Sequence, residues 1–232
     1  MNDRPYPIKV NARLDEPLSR WLWLVKWFLA IPHYVVLFFL WVAFVVLTAV
    51  AGVAILFTGR YPRAIFDFNT GVLRWSWRVS YYSYSALATD RYPPFSLGEE
   101  PGYPAHLTIP YPAQLSRGLV LVKWWLLLIP HYLVVGFLVG GTTLSHNALL
   151  TAGTGGGLIG LLALIAAITL AVAGTYPRAL YDLVVGLNRW VIRVGVYAAL
   201  MTDEYPPFRL DSGGAEPEPQ DQPAPNPAVG RR

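Results

Sequence analysis

Two apolar tracts with no charged side chain set most of what this chain can become: residues 27–59 and 124–177 contain no Lys, Arg, Asp or Glu. One membrane span takes about 20 apolar residues, and each tract is longer than that. With 54% hydrophobic and 14% charged residues, against about 25% charged in an ordinary soluble domain, the chain reads as an integral membrane protein. The first tract begins at Trp21 behind a polar-rich segment. It is too long for a cleavable signal peptide and lacks the small-residue pattern at its end. The absence of cysteine removes disulfides, thiolate metal sites and cysteine nucleophiles together.

An internal repeat bears on how many helices each tract holds. Leu18-Ser19-Arg20, Val25-Lys26-Trp27 and Ile31-Pro32-His33-Tyr34 return as Leu115-Ser116-Arg117, Val122-Lys123-Trp124 and Ile129-Pro130-His131-Tyr132. Tyr61-Pro62-Arg63-Ala64 returns as Tyr176-Pro177-Arg178-Ala179, and each copy closes on Thr-Asp-x-Tyr-Pro-Pro-Phe, at 89–95 and 202–208. The second copy carries extra residues between these anchors, a Gly/Thr/Ser/Asn-rich insertion over about 140–157. Such a backbone cannot sit in hydrocarbon unsatisfied, so it marks a turn between helices, and by alignment the first copy turns near Trp41–Ala43.

The expected fold is therefore an all-α integral membrane protein of two tandem transmembrane helical hairpins, four spans in all, each followed by a basic amphipathic interfacial helix. A single kinked helix in the first copy is the alternative. The first repeat covers 1–95, with its hairpin at about 20–59 and interfacial helix at about 62–80. A Pro/Gly/acid linker follows at 96–105. The second repeat covers 106–210, with its hairpin at about 117–175 and interfacial helix at about 177–194, and 211–232 reads as a disordered tail. Alternation at Ile8, Val10 and Ala12 and at Leu107, Ile109 and Tyr111 predicts short strands that pair on the cytoplasmic side. All Lys and Arg lie on the base side of the hairpins, with Lys26 and Lys123 snorkelling back to it. Both termini are then cytoplasmic in a multi-pass inner-membrane protein.

Arg63, Asp67, Gly71, Arg74 and Arg78 share their spacing with Arg178, Asp182, Gly186, Arg189 and Arg193, which places each set on one helical face. Two readings stand together. The arginines hold anionic lipid headgroups, with Arg74, Arg78, Arg189 and Arg193 converging on one phosphate as the sharpest form. Alternatively Asp67 and Asp182 make ordinary ion pairs with the neighbouring arginines, which merely anchor the protein. His33 and His131 are the intramembrane polar residues deepest in each tract. They are either structural partners of the neighbouring prolines or a bis-histidine site for haem b. No second-shell carboxylate adjoins either histidine in sequence, and no other metal or cofactor motif is present. Gly155-Gly156-Gly157-Leu158-Ile159-Gly160 matches a dinucleotide-binding pattern in letters only, since no strand precedes it.

The combination Ser-Arg-Trp-Leu-Trp-Leu-Val-Lys-Trp (19–27), Ile-Pro-His-Tyr (31–34), Phe-Thr-Gly-Arg-Tyr-Pro-Arg (57–63), Asp67-Phe68, Arg74-Trp75 and Thr-Asp-Arg-Tyr-Pro-Pro-Phe (89–95) resembles the bacterial membrane family called domain of unknown function 4389. The resemblance spans about residues 5–210. It implies a multi-span inner-membrane protein and supplies no activity. The second copy departs from it by the insertion and by Gly174-Thr175 where the first has Gly59-Arg60. The functional expectation is a non-enzymatic, lipid-interacting scaffold or accessory subunit, with anionic lipid, a protein partner or a second copy as partners and no nucleic acid. A small transporter or channel is the first alternative and a haem-bearing redox subunit the second.

Overall fold

The computed structural model of the chain describes residues 6–140 and 157–210. The interior of the predicted tip insertion, the first two glycines of the 155–160 motif and the predicted tail lie outside the described residues. The chain is mostly helical, with small strands and one long, clearly apolar helix. In order the elements are β1 (Lys9–Ala12), α1 (Trp23–Thr58), α2 (Arg63–Tyr82), β2 (Ala105–Thr108), α3 (Arg117–Val122), a π-helical turn (Lys123–Leu127), α4 (Ile129–Val139), α5 (Leu158–Ala173) and α6 (Arg178–Ala198).

The first copy is not a hairpin. Helix α1 runs unbroken for 36 residues through both Pro32 and Trp41–Ala43, about 54 Å at 1.5 Å per residue. Nothing between Ile31 and Thr58 forces a reversal. The Leu, Val, Phe and Ala run keeps every backbone bond inside the helix until Gly59, whose φ of 71° caps it, a conformation that favours glycine. The chain turns there, and α2 returns along α1. Tyr34 Oη donates to Ser83 Oγ (2.9 Å), Trp41 Nε1 to Ser76 Oγ (3.1 Å) and Asn69 Nδ2 to Thr48 Oγ1 (3.1 Å).

Nor is the second copy a hairpin. Along α6, Tyr197 meets Lys123, Trp190 meets His131, and Leu187 packs with Leu138 and Ile159. Helix α6 therefore runs antiparallel to α4. It also runs antiparallel to α5, from which it is separated only by the turn at Gly174–Pro177. Helices α4 and α5 thus point the same way, so they are not the two arms of a hairpin. A further break at Leu128 bends α3 with its π turn by 49° against α4. Four spans give way to two long apolar helices, one continuous and one broken.

These two run antiparallel. Trp23 at the start of α1 packs by Ala163 and Ala167 of α5, while Gly52 faces Val120 of α3 and Leu115 N donates to Gly59 O at 2.9 Å. Behind them lies a second layer, α2 and α6, joined by reciprocal bonds from Tyr61 Oη to Ala199 O (3.4 Å) and from Tyr176 Oη to Ala86 O (2.9 Å). The third layer is the predicted strand pair, antiparallel with Val10 opposite Leu107. Ile8, Val10, Leu107 and Ile109 are buried beneath it. The strands are exchanged: Arg74 Nε donates to Leu107 O and Arg189 Nε to Val10 O, both at 2.9 Å.

Helices α2 and α6 are therefore central, not interfacial. Phe66, Val72, Trp75, Trp77, Val79 and Tyr81 are all buried, because the tight turn at Gly59 lays α2 on α1 and leaves its other sides to α6 and the ribbon. The same layer holds buried phenols. Tyr81 Oη donates to Arg13 O (2.6 Å) and lies 3.0 Å from Tyr181 Oη, so Tyr181 is the donor of that pair. Burial pushes the Tyr181 phenol up to about 12 and the Tyr81 phenol higher still, against about 10 in the unfolded chain. A folded value above the unfolded one contributes stability below pH 10 that is lost as pH rises through the folded value. Stability should hold to about pH 10 and fall steeply above it. In a pH titration, tyrosinate absorbance from these residues should appear together with loss of helical circular dichroism, and ionisation near pH 10 with the helices intact would contradict it.

Candidate functional site

The Thr-Asp-x-Tyr-Pro-Pro-Phe segments fold over the first turns of the long helices. Lys26 is 2% exposed; its Nζ donates to Thr89 O at 2.6 Å, pairs with Asp90 at 2.9 Å and lies 5.1 Å from the Tyr82 ring. Lys123 repeats this with Thr202 O (2.7 Å), Asp203 (2.6 Å) and the Tyr197 ring (4.8 Å). The lysines do not snorkel toward a membrane surface. A carboxylate, a carbonyl and a ring meet the ammonium inside the protein, which is what a buried charge requires. Each aspartate also accepts the backbone N–H of the serine before the helix, Ser19 or Ser116. Turning into each clasp, Leu87 and Leu200 adopt φ of 55° and 63°, a strained region for leucine, held by their burial.

The same segments enclose the histidines. His33 stacks on Phe95 at 4.0 Å and meets Trp75 and Tyr92; His131 stacks on Phe208 at 4.5 Å and meets Trp190 and Tyr205. Tyr92 Oη donates to Leu29 O at 3.1 Å, close to the Pro32 site. Trp75 Nε1 donates to His33 Nδ1 at 3.1 Å. Since tryptophan is only a donor, Nδ1 holds the lone pair and Nε2 the proton. That tautomer does not offer His33 Nε2 to a metal, and the two imidazoles sit in separate clasps rather than at one shared site. Among the described residues there is no group of three His, Asp or Glu arranged to hold a metal ion.

The basic face exists, but most of it is turned inward. Arg78 is 2% exposed and donates to Gly98 O (2.9 Å) and to Ser96 O. Arg193 is fully buried and donates to Arg209 O at 3.1 Å. With Arg74 on Leu107 O and also 3.7 Å from Glu99, and Arg189 on Val10 O, the four arginines reach separate carbonyls and do not converge on one phosphate. Helical spacing puts them on one face, and the post-clasp segments and the ribbon cover that face. Arg63 and Arg178 remain outward, at 67% and 79% side-chain exposure. Arg63 pairs with Asp67 (3.5 Å) and lies 4.4 Å from the Tyr111 ring. Arg178 pairs with Glu16 (3.0 Å) rather than with Asp182, which is exposed. A cleft beside Arg63 is lined by Asp67, Thr70, Arg74 and Tyr111; the Thr70 hydroxyl itself is buried, with no hydrogen-bond partner.

Spacing alone assigns no role to Asp90, Asp203, Phe95 or Phe208, although recurrence of the whole heptapeptide at the close of each copy was a signal for them. Opposite the ribbon the surface is apolar. Phe38, Phe39, Val45, Val46, Val53 and Phe57 on α1, and Leu161, Ile168 and Val172 on α5, are each about half exposed or more. Helix α1 is long and apolar enough to cross a membrane, and α3 to α4 with its bend is a second stretch that passes the same test.

No curated protein and no solved structure matches the chain. The family described as Domain of unknown function (DUF4389) matches it in two segments, residues 20–96 and 150–209. These take in α1, α2 and the Thr89–Phe95 segment, then α5, α6 and the Thr202–Phe208 segment, with Lys123 and His131 outside the match, and the chain belongs to that family.

Proposed function

We propose that the protein is a non-enzymatic membrane protein, a lipid-interacting scaffold or accessory subunit, seated in the bilayer by the outer faces of α1 and α3–α5. The observation behind this reading is the concentration of large exposed apolar side chains on those helices. Soluble monomers rarely expose contiguous apolar patches beyond a few hundred Å², and hydrocarbon removes the cost. Arg63 and Arg178 hold anionic headgroups at the ends of these helices, with Arg20, Arg60 and Arg117 also exposed there.

Each arginine near a lipid surface contributes on the order of 1 kcal/mol. Arg63→Gln with Arg178→Gln should therefore lower the preference for anionic over zwitterionic vesicles by roughly tenfold or more, leaving the fold intact. Vesicle flotation at low salt reads this directly. An unchanged preference in a folded double variant would remove these arginines from the headgroup role. Glutamine at Arg78 or Arg193 should act on stability instead, since those guanidiniums serve backbone carbonyls.

A further inference from the structure

We infer that the protein lies in the plane of one leaflet, with α1 and α3–α5 immersed side by side and the strand ribbon facing water, rather than spanning the bilayer. This rests on the membrane reading above and fixes its geometry.

Consider where charge sits along α1. Ser76 and Asn69 of α2 meet Trp41 and Thr48, so the middle of α2 lies against the middle of α1. Arg74, between those two contacts, is bonded to the ribbon at Leu107, and Glu99 beside it is 54% exposed. On the ribbon itself Lys9 is exposed. If α1 stood upright, Glu99 and Lys9 would face lipid near the bilayer centre. A lipid-facing charge at that depth is costly and rare in membrane proteins.

Length points the same way. The charge-free stretch 27–59 is about 50 Å of helix, against about 30 Å of hydrocarbon. An upright α1 would need a tilt beyond the 0–40° range of spanning helices. Laid flat, its apolar face enters one leaflet to the 5–10 Å typical of in-plane helices. Arginines then stand at both ends of the apolar slab: Arg20 and Arg178 at one, Arg60, Arg63 and Arg117 at the other, as the contacts of Arg20 with Gly174 and of Arg117 with Gly59 dictate. All five reach headgroups of the same leaflet. Upright, they would divide between two surfaces.

The chain has no cysteine, so single-cysteine variants of the full protein give a clean test. With bimane on Val35→Cys, Val45→Cys and Val53→Cys, quenching by lipid-borne nitroxides should report one common shallow depth. An upright helix would spread Val35 and Val53 by about 27 Å. In membranes of the expressing cell, an impermeant thiol reagent should modify Ser19→Cys, Thr58→Cys and Lys9→Cys from the same side. Modification of Ser19→Cys and Thr58→Cys from opposite sides, or a spread of depths, overturns the in-plane placement while leaving the membrane reading standing. Bimane labels unquenched by any lipid defeat the membrane reading itself. Disulfide-linked dimers through Val45→Cys with no lipid quenching would give the apolar face to a second copy and overturn the placement too.

Discussion

Asp90→Asn should destabilise the protein by about 3 kcal/mol, and the double change Lys26→Met with Asp90→Asn should return most of that loss. The Lys26 ammonium is 2% exposed and Asp90 is its charged partner at 2.9 Å. The asparagine keeps an acceptor for the Ser19 N–H and leaves the Thr89 carbonyl in place, so the change isolates the charge. Removing one member of a buried pair strands the other without compensation, whereas removing both is often neutral. Asp203→Asn, with Lys123 at 1% exposure and 2.6 Å, should behave alike. Denaturant unfolding in a fixed detergent checks this. A double variant that loses the sum of what Lys26→Met and Asp90→Asn lose singly would mean that the ion pair contributes no coupling.

Gly71→Ala is the second large effect, at about 2–3 kcal/mol. A Cβ at this position would sit 2.8 Å from Leu97 Cβ and 2.9 Å from Leu97 O. The obstacle is largely backbone, and that backbone carries the Ser96 and Gly98 carbonyls that hold Arg78. The methyl must displace the strap and with it the guanidinium's partners. Gly186→Ala meets Leu210 Cβ at 2.9 Å and its carbonyl oxygen at 3.2 Å and should cost less, because the backbone obstacle stands farther off. Gly195→Ala meets nothing within 4 Å and, inside α6, should be neutral or stabilising by up to about 1 kcal/mol. If all three alanines gave the same shift in unfolding midpoint, close packing at Gly71 would not be the cause.

Much of the local structure was legible. The first strand follows from alternation at Ile8–Ala12, whereas the second lies at Ala105–Thr108 and takes in only Leu107 of the alternating Leu107, Ile109 and Tyr111. The starts of α2 and α6 follow from the Tyr-Pro-Arg motif, because proline suits a first turn. The count of spans was not legible. Hydropathy measures how long an apolar tract is, not whether it reverses, and the Gly-rich insertion is equally compatible with a fold-back or with a side loop on a helix that resumes its course. Contacts from α6 to both α4 and α5 decide it, and those are remote in sequence. The arginines show the same limit. Spacing assigns Arg74 and Arg78 to one face, but what covers that face depends on a segment about 20 residues downstream. One local sign was available: a glycine in the middle of the basic face, at 71 and again at 186, marks where another backbone comes close. For the lysines, charge counting along the chain favoured the surface, whereas their aspartates lie 64 and 80 positions away.

The exchange of strands sets an order of events during synthesis. Val10 waits for Arg189, 179 residues later, which at 5–20 residues per second is roughly ten to forty seconds. Helix α1 is complete more than a hundred residues before that, and α5 shortly before it. The apolar side therefore leaves the ribosome while the ribbon side still lacks half of its fastenings. A nascent chain of this kind is held by its greasy side first and locked by its polar side last, so any factor that receives it meets an exposed helix, not a finished domain.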